Sequence, residues 1–399
     1  MYEMIETEIG FLPKHWQIKP FEEIIEKGSL SYGIVQPGFP KEYNSVPVIR
    51  VNNIKNGKIN PEDVMKVDEE IEAKYKRTRL KGGELLLTVV GSVGNAVIVT
   101  DEFINWNVAR AVSVSRISND YDKHFIKYCF LTEYVLHQMY GQTNDTVQPT
   151  LNLSSLKEIK FPVPPLPEQI QIATILSSLD DKIDLLHRQN KTLEQLAETL
   201  FRQWFVEEAE ESWEKKSLSS IADFLNGLAC QKFPPKNQTE KLPVLKIKEL
   251  SSGITENSDW ASTDIKPEYI VKNGDVIFAW SASLMVMIWN GENCILNQHL
   301  FKVTSKVYPK WFYYLWCKHH LAEFISISLS HATTMGHIKR GDLDEAMVLV
   351  PTQEELKKMT IKIQPFFDKM LVNHNQIRTL TQLRDTLLPK LMSGEVRVI

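Results

Sequence analysis

Residues 181–200 read DKIDLLHRQNKTLEQLAETL, and residues 368–387 read DKMLVNHNQIRTLTQLRDTL. The two segments lie 187 positions apart and are identical at 10 of 20 positions. Weaker matches continue outside them, and Asn107 recurs as Asn297. A repeat of this length far exceeds the roughly 20–50 residues of solenoid repeats. The sequence therefore predicts two similar globular units, each followed by a similar long helix.

Apolar residues in and around these segments recur in alternating steps of four and three, which is typical of a coiled coil. The first series has a single polar member: Ile172, Leu176, Leu179, Ile183, Leu186, Asn190, Leu193, Ala197, Leu200 and Trp204. The second has two: Met359, Ile363, Phe366, Met370, Asn373, Ile377, Leu380, Arg384, Leu387 and Leu391. Two unrelated helices, each docked on its own domain, would not explain the shared period and length. The pattern predicts two long helices that pack on each other.

Two-fold symmetry between the halves predicts that these helices run antiparallel. Asn190 and Asn373 would then pair near the centre and fix the register; two solvent-facing asparagines are the alternative. Thr352 and Glu355 predict a capping box at the start of the second helix, and Pro365 predicts a kink or break near Gln364. Helix pairing and register are assigned to Leu179, Ile183, Leu186, Asn190, Leu193, Leu200, Met370, Asn373, Ile377, Leu380 and Leu387.

The globular units each combine strands and helices. Strands are predicted at 45–51 and 80–90 in the first copy, and at 242–250 and 271–280 in the second. One aromatic helix is expected to close each unit, at 124–140 and at 311–326. The fold class is therefore α+β: two similar mixed α/β domains joined by two long helices that form an antiparallel coiled coil, with a pseudo-two-fold internal repeat.

The copies differ most in their polar loops. Arg, Lys, Asn and Gln read base edges, whereas Ser and Thr hold phosphates, so these loops suit two different DNA-recognition tasks. For any single residue, ordinary loop drift is the alternative. The candidate DNA-binding residues are Asn53, Lys55, Lys76, Arg77, Arg79, Ser92, Asn95, Asn107, Arg110, Thr143, Asn144 and Gln148 in the first copy, and Lys246, Lys248, Ser281, Ser283, His299, Thr333, Thr334, His337, Lys339 and Arg340 in the second.

Motifs for catalysis are missing from the chain. There is no GxxxxGK[ST] motif, no GxGxxG after a strand and no metal-ligand spacing of histidines, so we expect no catalytic residue, bound cofactor or metal. Glu62, Glu72 and Lys74 are the one nuclease-like combination. The four cysteines lie far apart, which indicates buried free thiols in a reducing compartment. Without a signal peptide or an 18-residue apolar run, we expect a cytoplasmic protein with no membrane partner.

Four segments, in this order and together with the duplication, resemble the specificity subunits of type I restriction–modification systems over essentially the whole chain. They are PPLPEQI at 164–170, GDVIFAWS at 274–281, LNQHLFKV at 296–303 and LLPKLMSG at 387–394. The resemblance implies target-recognition domains at 1–164 and 209–350, with conserved helices at 165–208 and 351–399. Asn190, Arg384 and Pro365 depart from a uniform apolar helix series.

The resemblance also implies function and partners. Each recognition domain would read one half of an asymmetric, bipartite site in double-stranded DNA, and the helices would set the gap. The helices would dock two methyltransferase subunits, which restriction (motor) subunits join. S-adenosylmethionine, ATP and Mg²⁺ would be held by those partners. The alternatives are a fused-type restriction enzyme that uses Glu62, Glu72 and Lys74, and a protein-interaction scaffold that does not touch DNA.

Overall fold

The computed structural model describes residues 3–39, 41–55, 57–143, 149–330 and 336–398. The chain divides into two compact units. Unit 1 comprises Met1–Lys182 and Thr381–Ile399, and unit 2 comprises Ile183–Leu380. Each unit contains one mixed α/β domain and part of both long helices. The domain limits given above, at 164, 208 and 350, stay predictions.

The elements of unit 1 are mostly short. Its strands are β1 (Met4–Thr7), β2 (Gly10–Pro13), β3 (Gln17–Pro20), β4 (Ser31–Tyr32), β5 (Ser45–Ile49), β6 (Ile54–Lys55), β7 (Lys58–Ile59), β8 (Met65–Asp68), β9 (Leu85–Thr88), β10 (Ala96–Ile98), β11 (Asn107–Val108), β12 (Val112–Ser115) and β13 (Lys160–Val163). Its helices are α1 (Phe21–Ile24), α2 (Glu69–Glu72), α3 (Lys123–Cys129), α4 (Glu133–Gly141), α5 (Leu153–Glu158) and the first half of α6 (Leu166–Arg202).

Two sheets organise this domain. One has the strand order β10-β9-β12-β4 and is antiparallel throughout. The other has the order β11-β5-β8, in which β11 and β5 are parallel. The core packs α3 and α4 against β9, and it includes Ile172 and Leu176 from α6 and Leu391 from the second long helix. The long helices thus contribute to the core of the domain.

Unit 2 repeats this plan. Its strands are β14 (Glu214–Ser217), β15 (Asp223–Asn226), β16 (Lys241–Leu245), β17 (Trp260–Ser262), β18 (Ile270–Val271), β19 (Val276–Ala279), β20 (Met285–Ile288), β21 (Cys294–Leu296), β22 (Leu300–Thr304) and β23 (Met347–Val350). Its helices are α7 (Leu218–Ile221), α8 (Ile247–Ser252), α9 (Lys310–His319), α10 (Leu321–Ser330), α11 (Arg340–Glu345) and most of α12 (Gln353–Met392). The sheets have the orders β15-β22-β19-β20 and β17-β16-β21-β18, and β16 and β21 are parallel.

In both units, a glycine packs directly against the backbone of a neighbouring segment. A Cβ added at Gly33 would lie 2.0 Å from the carbonyl oxygen of Val108, and one at Gly227 would lie 2.2 Å from that of Asn297. Each glycine precedes a parallel bridge, formed by Ile34 in unit 1 and by Leu228 in unit 2. Only a residue without a side chain fits so close to a neighbouring backbone. The repeat therefore extends to backbone packing.

The long helices are paired by polar contacts in each unit. In unit 1, Arg384 Nη1 lies 3.0 Å from Asp180 Oδ1, and Tyr128 donates its hydroxyl to the same carboxylate at 2.7 Å. In unit 2, Asn373 donates to Asn190 Oδ1 at 2.9 Å, and both side chains are buried. The predicted antiparallel pairing and the amide pair are confirmed. Of the other assigned pairing residues, Leu186 and Met370 are buried, and those that are half-buried are Leu179, Ile183, Leu193, Leu200, Ile377, Leu380 and Leu387.

The start of α12 also follows the sequence. The Thr352 hydroxyl accepts a hydrogen bond from the backbone N–H of Glu355, and Glu355 Oε2 accepts one from the backbone N–H of Thr352 at 2.9 Å. The predicted capping box is therefore present. Of the kink or break expected near Gln364, the break was wrong, because α12 runs through Pro365 without interruption, and the kink stays a prediction. Pro365 is exposed, so the carbonyl that loses its helical partner one turn earlier lies on the solvent side.

Three sequence expectations about the domains were too simple. The helix expected at 124–140 is two helices, α3 and α4, separated at Thr132, whose hydroxyl donates to the carbonyl of Cys129 at 2.6 Å. The helix expected at 311–326 is likewise divided, between α9 and α10. The strand expected at 242–250 stops at Leu245 and is followed by α8. All four cysteines are free and buried, as expected.

Candidate nucleic-acid interface

A groove of about 530 Å³ in unit 1 brings several predicted residues together. Lys55, Ser92 and Asn95 line it, with Arg50 and Asn52 beside them. The loop that carries Ser92 and Asn95 turns at Gly91 and Gly94, whose φ angles are 75° and 103°. The backbone N–H of Asn95 is held by the Thr88 hydroxyl at 3.0 Å. The groove therefore combines the cationic side chains of Arg50 and Lys55 with the Asn95 amide, which a fixed turn presents.

Arg50 is the residue of this groove that the sequence analysis missed. One of its terminal nitrogens donates to the carbonyl of Asp63 at 2.7 Å. Its Nε is buried, and the described residues offer it no acceptor. A buried N–H without a partner costs free energy unless a ligand satisfies it. The repeat could have revealed this site, because Lys246 at the end of β16 corresponds to Arg50 at the end of β5.

Two predicted residues of unit 1 lie inside the fold instead. Asn53 donates to the carbonyls of Asn60 and Glu62 at 3.2 and 3.0 Å. Asn107 donates to Glu72 Oε1 at 2.9 Å and accepts from the Thr78 hydroxyl at 2.8 Å. Both asparagine side chains are buried. The structure therefore assigns them to holding loops together, and their surface placement was the wrong expectation.

The basic residues Lys76, Arg77 and Arg79 of unit 1 differ in exposure and in their partners. Lys76 and Arg77 are exposed, and Arg77 donates to the carbonyl of Gly28. Arg79 is half-buried and donates to Glu72 Oε1 at 2.8 Å. The Arg79 guanidinium holds the pKa of the Glu72 carboxyl below its usual value. Lys76 and Arg77 remain at the surface, while Arg79 is engaged by an internal acid.

The third polar segment of unit 1 begins at Thr143, and the chain that follows it contacts the end of β9. The Thr143 hydroxyl donates to the carbonyl of Tyr140 at 2.9 Å. Asn144 and Gln148 lie outside the described residues. The chain then meets the end of β9, where the backbone N–H of Gly91 donates to the carbonyl of Pro149 at 2.9 Å. Arg110 is exposed beside Ala109 and Ala111, two further residues of the groove.

In unit 2, the predicted residues Ser281, His299 and His337 meet beyond the end of β19, which corresponds to β9 of unit 1. Ser281 is bridged to His337 as Val90 is bridged to Thr150 in unit 1. The Ser281 hydroxyl lies 3.0 Å from His299 Nδ1. The backbone N–H of Ala282 donates to the carbonyl of Gly336 at 2.8 Å, which matches the contact between Gly91 and Pro149. Equivalent loops therefore converge in both units.

The remaining predicted residues of unit 2 differ in their surroundings. Lys246 is paired with Asp259. Thr333 and Thr334 lie outside the described residues. The others are exposed: Lys248, Ser283, Lys339 and Arg340.

Aromatic rings distinguish the interface of unit 2. Trp280 stacks on Phe301, with ring centroids 5.6 Å apart and planes inclined by 25°. His299 and His337 lie near the same indole, with centroids at 6.1 and 6.3 Å. At the equivalent strand end of unit 1 the residues are Val89 and Val90, which carry no ring. The same backbone thus carries two chemically different surfaces.

The sequence model of the type I restriction modification DNA specificity domain matches residues 13–195 and again residues 210–382. The chain belongs to this family. It is a type I restriction–modification specificity subunit, which is a DNA-recognition component and not a catalytic one. The two matched segments correspond to the two copies inferred from the repeated helix sequence, so the resemblance seen in the sequence is confirmed.

Similar proteins support this assignment. The MjaIX specificity subunit of Methanocaldococcus jannaschii is 27% identical over 99% of this chain and 97% of that protein. The EcoBI specificity subunit of Escherichia coli is 32% identical over 45% of this chain and 38% of that protein. The crystal structure of the type I restriction–modification S subunit from M. genitalium matches 94% of this chain and 96% of that chain with a TM-score of 0.55 and 15% identity. That last likeness shows a shared fold.

The nuclease-like residues of this specificity subunit are not assembled as an open acidic pair. Glu72 is buried and its carboxylate is bound by Arg79 and Asn107, whereas Glu62 and Lys74 are exposed. Within the described ranges, no group of three or more His, Cys, Asp or Glu residues is placed to hold a metal ion. No described helix is both long and apolar enough to cross a membrane.

Proposed function

We propose that this specificity subunit selects an asymmetric, bipartite site in double-stranded DNA, with the domain of each unit reading one half. The observation that carries this proposal is the equivalence of the strand-end loops, bridged at Val90 and Thr150 in unit 1 and at Ser281 and His337 in unit 2. Equivalent loops with different side chains suit two half-sites of different sequence. The proposed setting is the cytoplasm, where chromosomal DNA is accessible.

The groove of unit 1 has the chemistry that DNA recognition needs. Lys55 and the exposed part of Arg50 neutralise phosphates, which supplies most of the sequence-independent affinity. Asn95 offers an amide that can pair with a base edge. The Asn95 Nδ2 is 3.1 Å from the carbonyl of Ser92, so its orientation is fixed within the turn. Fixed polar groups favour binding because less conformational entropy is lost when the complex forms.

The long helices are proposed to act as the spacer that sets the gap between half-sites. Helices α6 and α12 contain 37 and 40 residues, and at about 1.5 Å per residue each spans about 60 Å. Both cross the boundary between the units without interruption. Adding four residues to a helix lengthens it by about 6 Å, which is close to the rise of two base pairs at about 3.4 Å per strand position.

The same helices are proposed to dock two methyltransferase subunits, which restriction subunits then join. Apolar side chains exposed along a helix mark interaction surfaces when they are numerous. The exposed apolar residues of the two helices are Ile170, Ile175, Leu185, Leu196, Ile361, Leu371, Val372 and Leu383. S-adenosylmethionine, ATP and Mg²⁺ are proposed to belong to those partners, and this chain is proposed to bind none of them.

Methylation sequencing tests the function directly. Genomic DNA is sequenced from cells that express the cognate methyltransferase with and without this chain. The expected result is a split motif with a fixed gap that appears only when the chain is present. A stable complex with no sequence-specific methylation would contradict the proposal and favour the scaffold alternative. Cleavage of DNA by the purified chain with Mg²⁺ alone would favour the fused-type enzyme.

An insertion variant tests the spacer. Four residues are added to the middle of α6, and a matched variant carries four residues in the exposed turn 235–240. The helix variant is expected to methylate the same two half-sites with a longer gap, and the turn variant is expected to keep the original gap. The spacer role would be wrong if the helix variant kept both half-sites and the original spacing.

A further inference from the structure

In unit 2, the polar side chains of Asn226 and Arg340 lie beside the stacked rings of Trp280 and Phe301. Asn226 ends β15, and its Cα pairs with that of Phe301 in β22. Trp280 follows β19 and stacks on the Phe301 ring. Arg340 begins α11, and its guanidinium carbon lies 5.9 Å from the centroid of the same ring. The side chains of Asn226 and Arg340 are exposed, so both polar groups face solvent.

The orientation of the Asn226 amide is fixed by its partner. Trp280 Nε1 donates to Asn226 Oδ1 at 3.1 Å. An indole N–H is only a donor, so the amide oxygen must face it and the NH₂ group must face away. No described residue accepts a hydrogen bond from that NH₂ group. Asn226 therefore turns its two N–H donors away from Trp280, whereas the amide of an unrestrained asparagine can present either end to a ligand.

Arg340 is held in a similar way. One terminal nitrogen donates to the carbonyl of Phe224 at 3.2 Å, while the guanidinium lies over the Phe301 ring. A guanidinium has five N–H donors and no acceptor. None of the described acidic residues forms an ion pair with it. The remaining donors are therefore available to a ligand, in an orientation set by the ring and the backbone.

A surface of donors selects a ligand edge of acceptors. In the major groove, guanine presents two acceptors, O6 and N7. Thymine presents one acceptor beside its methyl group, cytosine presents a donor, and adenine presents one donor and one acceptor. We propose that Asn226 and Arg340 recognise guanine in the half-site that unit 2 reads. This inference rests on the function proposed above and adds the base. The expected guanine contact is confined to one half-site, because unit 1 has Val89 where unit 2 has Trp280.

Two substitutions separate base reading from simple charge. Arg340→Lys keeps the positive charge but removes the forked donor pair that matches O6 and N7. Asn226→Asp keeps an oxygen for Trp280 Nε1 and turns the outward donor into an acceptor. Arg378→Lys, at an exposed position of α12, is the matched control. Each variant is expressed as the full chain with its methyltransferase, and the methylated motif is sequenced.

The expected result is a change at guanine positions of a single half-site. Arg340→Lys should lower the preference for guanine at one position by at least about tenfold, equivalent to about 1.4 kcal/mol. Asn226→Asp should move the preference at one position from guanine toward cytosine, which presents the donor that an acid accepts. The other half-site, the gap and the Arg378→Lys motif should be unchanged.

Other outcomes would overturn the inference. Uniformly weaker methylation of an unchanged motif in Arg340→Lys would show that the arginine holds a phosphate. Relaxation at an A·T position would show that a different base is read. In both cases the bipartite function would stand. A wild-type chain that gave no split motif would remove the proposed function and this inference together.

Discussion

The domains of the two units have the same backbone plan, but different contacts support their candidate DNA-binding surfaces. In unit 1 the buried Asn107 is bound by Glu72, which in turn binds Arg79, so an acid holds these two polar segments together. In unit 2 the corresponding Asn297 accepts from the backbone N–H of His299 at 3.3 Å, and stacked rings organise the surface. Conserved backbone geometry thus tolerates two different solutions at the recognition end.

The glycine contacts offer the strongest test of the shared scaffold. Gly33→Ala and Gly227→Ala would each force a Cβ against a backbone carbonyl, which cannot move as a flexible side chain can. We expect each to destabilise its own unit by about 3 kcal/mol. Urea unfolding of the full chain, with hydrogen exchange to report on each unit, measures the loss.

Matched controls are available in both units. A Cβ at Gly141 in unit 1 or at Gly341 in unit 2 meets nothing within 4 Å. Alanine at either position should change stability little. If only one of Gly33 and Gly227 were sensitive to alanine, the close approach would not be a common feature of the scaffold.

The contacts between the two long helices also distinguish the units. Unit 2 has a pair of neutral amides, and unit 1 has a pair of charged side chains. The Asn190–Asn373 bond leaves Asn190 Nδ2 and Asn373 Oδ1 buried, with no hydrogen-bond partner among the described residues. Asn373→Leu should cost about 2 kcal/mol, since it strands the other amide, and Asn190→Leu combined with it should recover that loss. A double-mutant cycle in urea measures the coupling; a double variant no more stable than the single one would contradict it.

The charged contact in unit 1 should behave differently. Asp180 and Arg384 are partly exposed, at 26% and 30%. Arg384→Met should therefore cost less than about 1 kcal/mol, and added salt should shrink the cost because exposed charges are screened. The neutral pair of unit 2 serves as the comparison, with little dependence on salt.

The contribution of Glu72 to the stability of unit 1 differs from those above because it depends on pH. Because its folded pKa is lowered, mainly by Arg79, the carboxylate stabilises unit 1 fully above its ordinary pKa of 4.5. That stabilisation is lost as the pH falls through the lower folded pKa. Glu72→Gln should cost about 1.5 kcal/mol at neutral pH and progressively less in acid. Hydrogen exchange of unit 1 across this range measures it, and a cost independent of pH would refute the assignment.

The sequence predicted the regular parts of the molecule well. The paired helices follow from a long apolar period, and the Thr352–Glu355 cap follows from local chemistry that needs no distant partner. The comparison of the two copies also singled out the loop with Ser92 and Asn95, which line one groove, and their contact with DNA stays a prediction.

The remaining features depend on contacts between distant segments. Asn107 has the residue type of a base-reading side chain, but its burial is decided by Glu72, 35 positions away. Asn226 is 54 positions from Trp280, so the sequence alone could not show that its amide is oriented. The break at Thr132 likewise arises within an otherwise helical aromatic stretch.

The composition of unit 1 from two separate stretches of chain has a consequence for synthesis on the ribosome. Leu391 and Met392 are buried in the same core as Leu12 and Trp16. Unit 2 is one continuous stretch, so it is fully translated before residues 381–398 emerge. Until then, the apolar surface of the first domain that these late residues cover stays open to water. Nascent chains that expose such surface are prone to aggregate, so the last turns of α12 act as a delayed closure on a domain that is translated well before them.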